Sequence, residues 1–458
     1  MKLSSKVSII LLLFFGIAIH SNANTIHIDQ NNMTGNEDGS SLAPFSTIQN
    51  ALFAASAGDT LRIAQGVYND EIVIDVPGIV MLGGFSGGTN TNYANEIPGD
   101  FETRNPTAYR TILYGIMEQP VIRIISANGS CYDGLHITGG LHGIMLDDTD
   151  WPPTMANITI SNNYIYGNGN SFDNELVGGA IALQGANIRI IGNTIRNNLA
   201  GRGAAIGSIA AVGNYLIENN DIDSNSSASD YGGALFLTAK GTIKNNRLTY
   251  NSCGSSVGYG YGGAISLWDS ATVTGNAFVG NFAPTYGGAL YLADGHNYQV
   301  DHNLIIKNRT NDGGAAIARA GRWDNVFSTA KIDFCTIADN SSTGYVGGDA
   351  LYLSGRAVAR FTNSIAWRNS KADGLSDFHT SNEFDTIHVA YSTTADLVSG
   401  VGVIHTNPLF ADTATNKYYL KSRAGRYFQP GVRLLDTLNS PAIDAADPLA
   451  PFADEPQP

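Results

Sequence analysis

An all-β solenoid, a chain wound into stacked coils of short strands, is the fold class this sequence predicts, on two interleaved repeats and one feature of composition. Gly-Gly followed by a small and then an aliphatic residue stands at Gly178, Gly232, Gly262, Gly287, Gly313 and Gly347, with a degenerate copy at Gly203. Between these copies runs Asn-x-apolar-x-x-Asn, at Asn163/Asn168, Asn193/Asn198, Asn220/Asn225, Asn246/Asn251, Asn276/Asn281 and Asn303/Asn308. Both markers share a spacing of 25 to 34 residues. A unit that short cannot bury its apolar face alone, so the copies must stack. The 52 glycines among 458 residues, with only 14% charged residues, suit a coil with several turns.

The elements follow in chain order. Residues 1–23 read as an export signal: Lys2 and Lys6, an apolar run over 7–19, then Ser21-Asn22-Ala23. That run is too short to span a bilayer, and no Cys follows it to carry a lipid. A strand is expected over 25–29 and a polar loop over 31–44. Ser46 then opens a helix, with Gln49 completing a capping box and Ile48, Leu52 and Phe53 forming the buried face. It should lie across the open end of the stack, where strand edges would otherwise be unpaired. Short strands follow over 61–64, 71–76 and 79–82. The organisation is thus a cap with the first coils over 24–110, a repeat body over 111–395 and an irregular C-terminal segment over 396–458.

Within the body, Ile144-Met-Leu, Ile181-Ala-Leu, Leu235-Phe-Leu, Ile265-Ser-Leu, Leu290-Tyr-Leu and Leu351-Tyr-Leu align. The alternation is that of strands and places Leu183, Leu237, Leu267, Leu292 and Leu353 in one internal column. The asparagines suit sharp corners, because Asn tolerates left-handed backbone, and stacked amides can bond to one another as a ladder.

Without the signal's two lysines the chain carries 24 basic and 40 acidic residues, a net charge of −16. Such a surface repels phosphate backbones and anionic lipid, which argues against nucleic acid and membrane insertion. Cys131, Cys253 and Cys335 are too few and scattered for a disulfide framework. Stability must come from stacking, and the chain is expected to act as a monomer.

With Gly-Gly-Ala-Ile/Leu at Gly178, Gly232, Gly262 and Gly287 and Phe278-Val-Gly-Asn281, the body resembles the right-handed single-stranded parallel β-helices of the pectin-lyase-like superfamily, and also the repeats of polymorphic outer-membrane proteins. The beginning is similar to exported bacterial β-helix proteins, through Ile26-His-Ile-Asp29, Pro44-Phe-Ser-Thr-Ile-Gln49, the stretch from Gly58 to Tyr68 and Gly83-Gly-Phe85. Asn407-Pro-Leu-Phe410, Ser440-Pro-Ala-Ile-Asp444 and Asp447-Pro448 match the opening of a choice-of-anchor segment. Such segments continue past the equivalent of Glu455-Pro456 into a Gly-rich strand, so the C-terminal segment is expected to be truncated or to close differently. The resemblance covers nearly the whole chain after the signal. It implies a secreted, periplasmic or surface location and a role on polysaccharide, and it leaves lyases, hydrolases and adhesins all open.

The candidate residues come from reading columns. Tyr231, Tyr261 and Tyr286 precede the glycines on successive coils, Phe236 and Tyr291 take the outward middle position, and Trp268 the next outward one. Exposed rings in a row can hold the flat faces of sugars. Asp269 and Asp294 fall in one column and could serve as acid and base of a glycosidase. Arg319 is the candidate base of a lyase. It takes the place of Leu in the inner column if Ile317 aligns with Ile265, and faces solvent if the extra Ala is absorbed the other way. Asp147, Asp148 and Asp150 form an acidic cluster that could hold Ca²⁺, the one cofactor contemplated. The histidines show no paired metal spacing. The leading expectation is a polysaccharide-binding, adhesin-like protein, with a polysaccharide lyase or glycosidase as the alternative.

Overall fold

The computed structural model describes residues 23–125, 128–148, 155–170, 175–211, 213–254, 258–293, 297–320, 328–429 and 432–450. Among them the strands form four long sheets of 14, 12, 11 and 8 strands, in which almost every strand pairs in parallel with its counterpart one coil away. A chain that visits the sheets in rotation and advances about 4.8 Å per coil is a parallel β-solenoid. Residues 1–22, which carry most of the expected export signal, lie outside the described residues. No described helix is long and apolar enough to cross a membrane.

The triplet Ile265-Ser-Leu267 shows how a coil is made. Ile265 and Leu267 point inward and are fully buried, pairing with Leu235 and Leu237 on one side and Leu290 and Leu292 on the other. The inner column runs Leu237, Leu267, Leu292, Arg319, Leu353, with Leu183 on an earlier coil, and none of the five leucines is more than 1% exposed. Burying each is worth about 1.5–3 kcal/mol relative to exposure, and the gain is repeated at every coil.

The glycine pair has two separate reasons. Gly262 holds φ +77, and a Cβ there would lie 2.2 Å from the carbonyl oxygen of Ile265. A Cβ on Gly263 would lie 2.3 Å from the carbonyl oxygen of Gly288 on the next coil. The first glycine makes the corner and the second lets adjacent coils approach.

Both asparagine columns form amide ladders. Nδ2 of Asn220 donates to Oδ1 of Asn246 at 2.9 Å and Nδ2 of Asn246 to Oδ1 of Asn276 at 3.0 Å. The first ladder runs from Asn163 to Asn303 and gives way to Cys335, Ser364 and Ser392. The second runs from Asn168 through Asn340 and Asn369, beyond the repeat visible in sequence, and ends on Asp377. One expectation needs correcting. The left-handed residues are those just before the ladder asparagines, such as Asn219, Asn245, Ser224 and Tyr250, with φ between 53 and 56. The ladder asparagines are held by their buried amides.

The helix spans Ile48–Ala54, one residue later than expected, with Thr47 rather than Ser46 as its cap. The Thr47 side chain accepts from the Asn50 amide at 3.3 Å, and Gln49 accepts instead from the Val73 amide at 3.0 Å. That amide belongs to the first strand of the 11-stranded sheet, so the helix satisfies an edge it covers. Ile48, Ala51 and Leu52 are buried in the main core. Phe53, expected there too, is 79% exposed: at about 100° per residue it lies a step beyond Leu52, on the outer side of a helix of 7 residues.

At the other end the chain returns along the outside of the 12-stranded sheet. Phe410 and Tyr418 pack on Val279, Ile306 and Ala338 in a cluster separate from the main core. Lys307 Nζ donates to Asn416 Oδ1 at 2.6 Å, and the Asp447 amide to Asn363 Oδ1 at 2.8 Å. Phe410–Asp412 with Lys417–Leu420, and Arg426–Gln429 with Val432–Leu434, are antiparallel hairpins outside the stack. The three cysteines are free thiols.

Candidate functional site: an aromatic stripe

The outward middle column of the 11-stranded sheet reads Phe236, Ser266, Tyr291, Ala318, Tyr352, His379 on consecutive coils. Rings on every coil, about 4.8 Å apart, would leave no room for others, and the small residues between them open the gaps. The corner column Tyr231, Tyr261, Tyr286, set by single parallel bridges, fills those gaps. Tyr231 stacks on Tyr261 at 5.3 Å and meets Trp268 edge-on at 4.9 Å. Tyr261 reaches Tyr291 at 5.0 Å, and Tyr286 lies nearly parallel to Tyr352 at 4.6 Å. Tyr352 stacks on His379 at 5.6 Å.

All six predicted ring residues therefore come together, and the structure adds three partners. Tyr352 shares the middle position with Phe236 and Tyr291, so the alignment carried its signal. His379 could not be found that way, because its strand has no glycine pair before it. Arg202, whose guanidinium lies 6.0 Å from the Phe236 ring centre, sits in the degenerate coil at Gly203.

The stripe is half-buried, apart from Tyr352 at 7% exposure. Trp268 Nε1 donates to Ser266 Oγ at 3.0 Å, so one spacer also anchors the indole. Burial, and then the hydrogen bond with Tyr352, raises the Tyr286 phenol well above its ordinary pKa; burial and the neighbouring Tyr231 raise that of Tyr261. Burial, and then Lys371, lowers the His379 imidazole. At neutral pH these rings are uncharged, presenting flat apolar area edged with hydroxyls, the chemistry that receives a sugar face.

The charged candidates fall elsewhere. Asp269 lies just beyond Trp268, half-buried at the corner into the 14-stranded sheet, and accepts from the Ser270 amide at 2.6 Å. Asp294 lies outside the described residues. Arg319 takes the inward register of the two left open. It is fully buried, donates from Nη1 to the Leu292 carbonyl at 3.0 Å and lies 5.5 Å from the Tyr298 ring centre. A polymer on the outside would not touch it. Asp147 is paired with Arg123, whose Nε lies 2.7 Å from Oδ2. Asp148 is buried and accepts from the Met155 amide, and Asp150 lies outside the described residues. Among the described residues no group of three His, Cys, Asp or Glu side chains is placed to hold a metal ion.

These coils define a class of protein, the right-handed parallel β-helix. A family model described as a right handed beta helix region matches residues 115–282. Among solved structures the chain is similar to a rhamnogalacturonan lyase at 14% identity and a TM-score of 0.24, covering 81% of this chain and 87% of that one. So loose a likeness says nothing about substrate. No curated protein sequence matches.

Proposed function

We propose that this is an exported polysaccharide-binding protein, secreted or held at the cell surface in an adhesin-like role, with the aromatic stripe as its ligand face. The observation that carries the reading is the unbroken contact of rings from Phe236 to His379 on an outer face. Side-chain stacking alone would be served by any apolar cover. A row of neutral rings bearing hydroxyls also matches a chain of sugars that alternates C–H faces with hydroxyl rims. A coil advances by about 4.8 Å, close to the length of one pyranose unit, so successive coils can meet successive sugars.

The test is to titrate the purified protein with neutral and uronate-containing polysaccharides, following Trp fluorescence for binding and new reducing or unsaturated ends for turnover. Saturable binding without new ends is expected. New ends would replace this reading with that of a degrading enzyme, and failure to bind any polysaccharide would end both.

A further inference from the structure

A second concavity lies on a different face. Along the corner where each coil enters the 14-stranded sheet runs an open groove of about 1150 Å³ that crosses coils from Asn157 to Arg360. Its lining reverses the charge of the molecule. In a chain with 40 acidic and 26 basic residues, the charged residues that line the groove among the described residues are Arg189, Lys240, Lys331 and Arg360. All four are exposed. Lys331 is neutralised by Asp333 at 2.8 Å. Arg189, Lys240 and Arg360 make no ion pair among the described residues.

The register gives their spacing. Arg189 pairs with Leu216 and Leu216 with Thr242, so Lys240, two residues before Thr242, is two coils on. Thr242, Thr272, Gln299, Lys331 and Arg360 then follow in one outward column. Arg189, Lys240 and Arg360 therefore stand at intervals of two and four coils, with the paired Lys331 one coil before Arg360, and hydroxyls and amides fill the stretch between. At about 4.8 Å per coil, that pattern suits a ligand chain that carries an acid group on some units and hydroxyls on all of them.

We propose that this groove binds an acidic heteropolysaccharide, a glycan whose carboxylate or sulfate groups recur every two to four sugars. Nucleic acid fits worse. Its bases need exposed rings to stack on, and the two aromatic residues of the lining among the described residues, Tyr215 and Tyr298, are 4% and 3% exposed. A phosphate on every unit would also meet the acidic surface beyond the groove. This site is independent of the aromatic stripe.

The test uses hyaluronate oligomers, in which acidic and neutral sugars alternate, beside polygalacturonate, neutral dextran oligomers and single-stranded DNA of equal length. Hyaluronate should bind, more weakly as salt is added. The exposed triple variant Arg189→Gln, Lys240→Gln, Arg360→Gln should lower that affinity at least tenfold with unchanged thermal unfolding. Arg189→Lys with Arg360→Lys should keep it. A chondroitin sulfate arm separates the acid groups: binding that needs the same three residues assigns sulfate as well, and its absence restricts the site to carboxylate. The proposal is overturned if hyaluronate does not bind, or if the triple variant binds it as the parent does. It is also overturned if polygalacturonate binds tenfold tighter than hyaluronate, or if DNA binds as tightly through the same residues. Dextran binding measures the stripe and not the groove, so the two sites can fail separately.

Discussion

The asparagine ladders and the aromatic stripe are both columns, one residue per coil, yet they obey opposite rules. Inside, every coil presents the same residue. Asn251 donates to the Ile222 carbonyl at 2.9 Å and to Asn281 Oδ1 at 3.1 Å, while its own Oδ1 accepts from the amide and side chain of Asn225, both at 3.0 Å. An amide is donor and acceptor at once, so only its own kind above and below satisfies it. Outside, Phe236, Ser266, Tyr291, Ala318 and Tyr352 alternate large with small, and the gaps over Ser266 and Ala318 admit the corner tyrosines, which reach Tyr291 and Tyr352. Uniformity marks the column that holds the fold. Alternation marks the one with freedom to meet a ligand.

If interior columns hold the fold, the largest effect should come from removing their end cover. Deleting residues 24–59, which hold the first strand of the 14-stranded sheet and the buried Ile48, Ala51 and Leu52, leaves Thr60–Ala64 and Ile72–Ile74 as uncovered sheet edges. Aggregation during refolding is expected, and a monodisperse product in light scattering would show that the helix is no cap. Next comes a single rung. Asn251→Leu fits the volume but takes the side-chain donor from the Ile222 carbonyl and the acceptor from the Asn225 amide, while Asn281 Oδ1 keeps the backbone amide of residue 251 and Asn225 Nδ2 keeps the Ile195 carbonyl. Each of these two buried orphans costs about 1–3 kcal/mol, so on the order of 2–6 kcal/mol should be lost in denaturant titrations. A loss below 1 kcal/mol would mean the ladder follows the fold and does not hold it.

The second ladder does not end as it began, and that end should respond to pH. Asp377 accepts Asn369 Nδ2 at 2.8 Å, and on the preceding coil Asp349 accepts from Ser342 Oγ at 3.1 Å. Burial, reinforced by Asp377, pushes the Asp349 carboxyl up to about 7, and burial also raises that of Asp377. Asp349 keeps its proton in the folded chain at pH values where the unfolded chain has released it. Its contribution is therefore greatest below the ordinary value near 3.8 and declines as pH rises through about 7. Asp349→Asn should flatten that decline and stabilise the protein at pH 8 by on the order of 1–3 kcal/mol, with little change at pH 4. Parallel stability profiles for parent and variant would contradict the assignment.

How much of this was legible in the sequence depends on what each residue had to satisfy. The ladders and the leucine column were legible because a repeated local need leaves a repeated letter. The ring residues followed once the coils were aligned. Phe53 was misplaced because a helix this short gives too little periodicity to fix its buried face. The register of Arg319 stayed open because Gly313-Gly-Ala-Ala-Ile317 has one residue more than Gly287-Gly-Ala-Leu290 before it, and only pairing with Leu292 and Leu353 decides which way it points. The groove left no motif. Its cations sit on different coils in positions shared with Thr, Gln and Leu, and only the register lines them up.

The smallest effect is the one that separates ligand contact from packing within the stripe itself. Trp268 and Tyr291 are half-exposed, whereas Tyr352, between Tyr286 and His379, is 7% exposed. If the stripe binds sugar, Trp268→Ala and Tyr291→Ala should each weaken dextran binding by about 1–2 kcal/mol, the value of a stacked aromatic contact, since the core beneath them, Leu267 and Leu292, is untouched. Tyr352→Ala should do the reverse, lowering the unfolding temperature by opening a gap in the stack while leaving dextran affinity within a factor of about 2, because little of the ring is available to a ligand. Calorimetric titration and thermal melts of the three variants read both quantities. Equal losses of stability with unchanged affinity in all three would make the stripe an outer packing ladder, governed by the same rule as the asparagines.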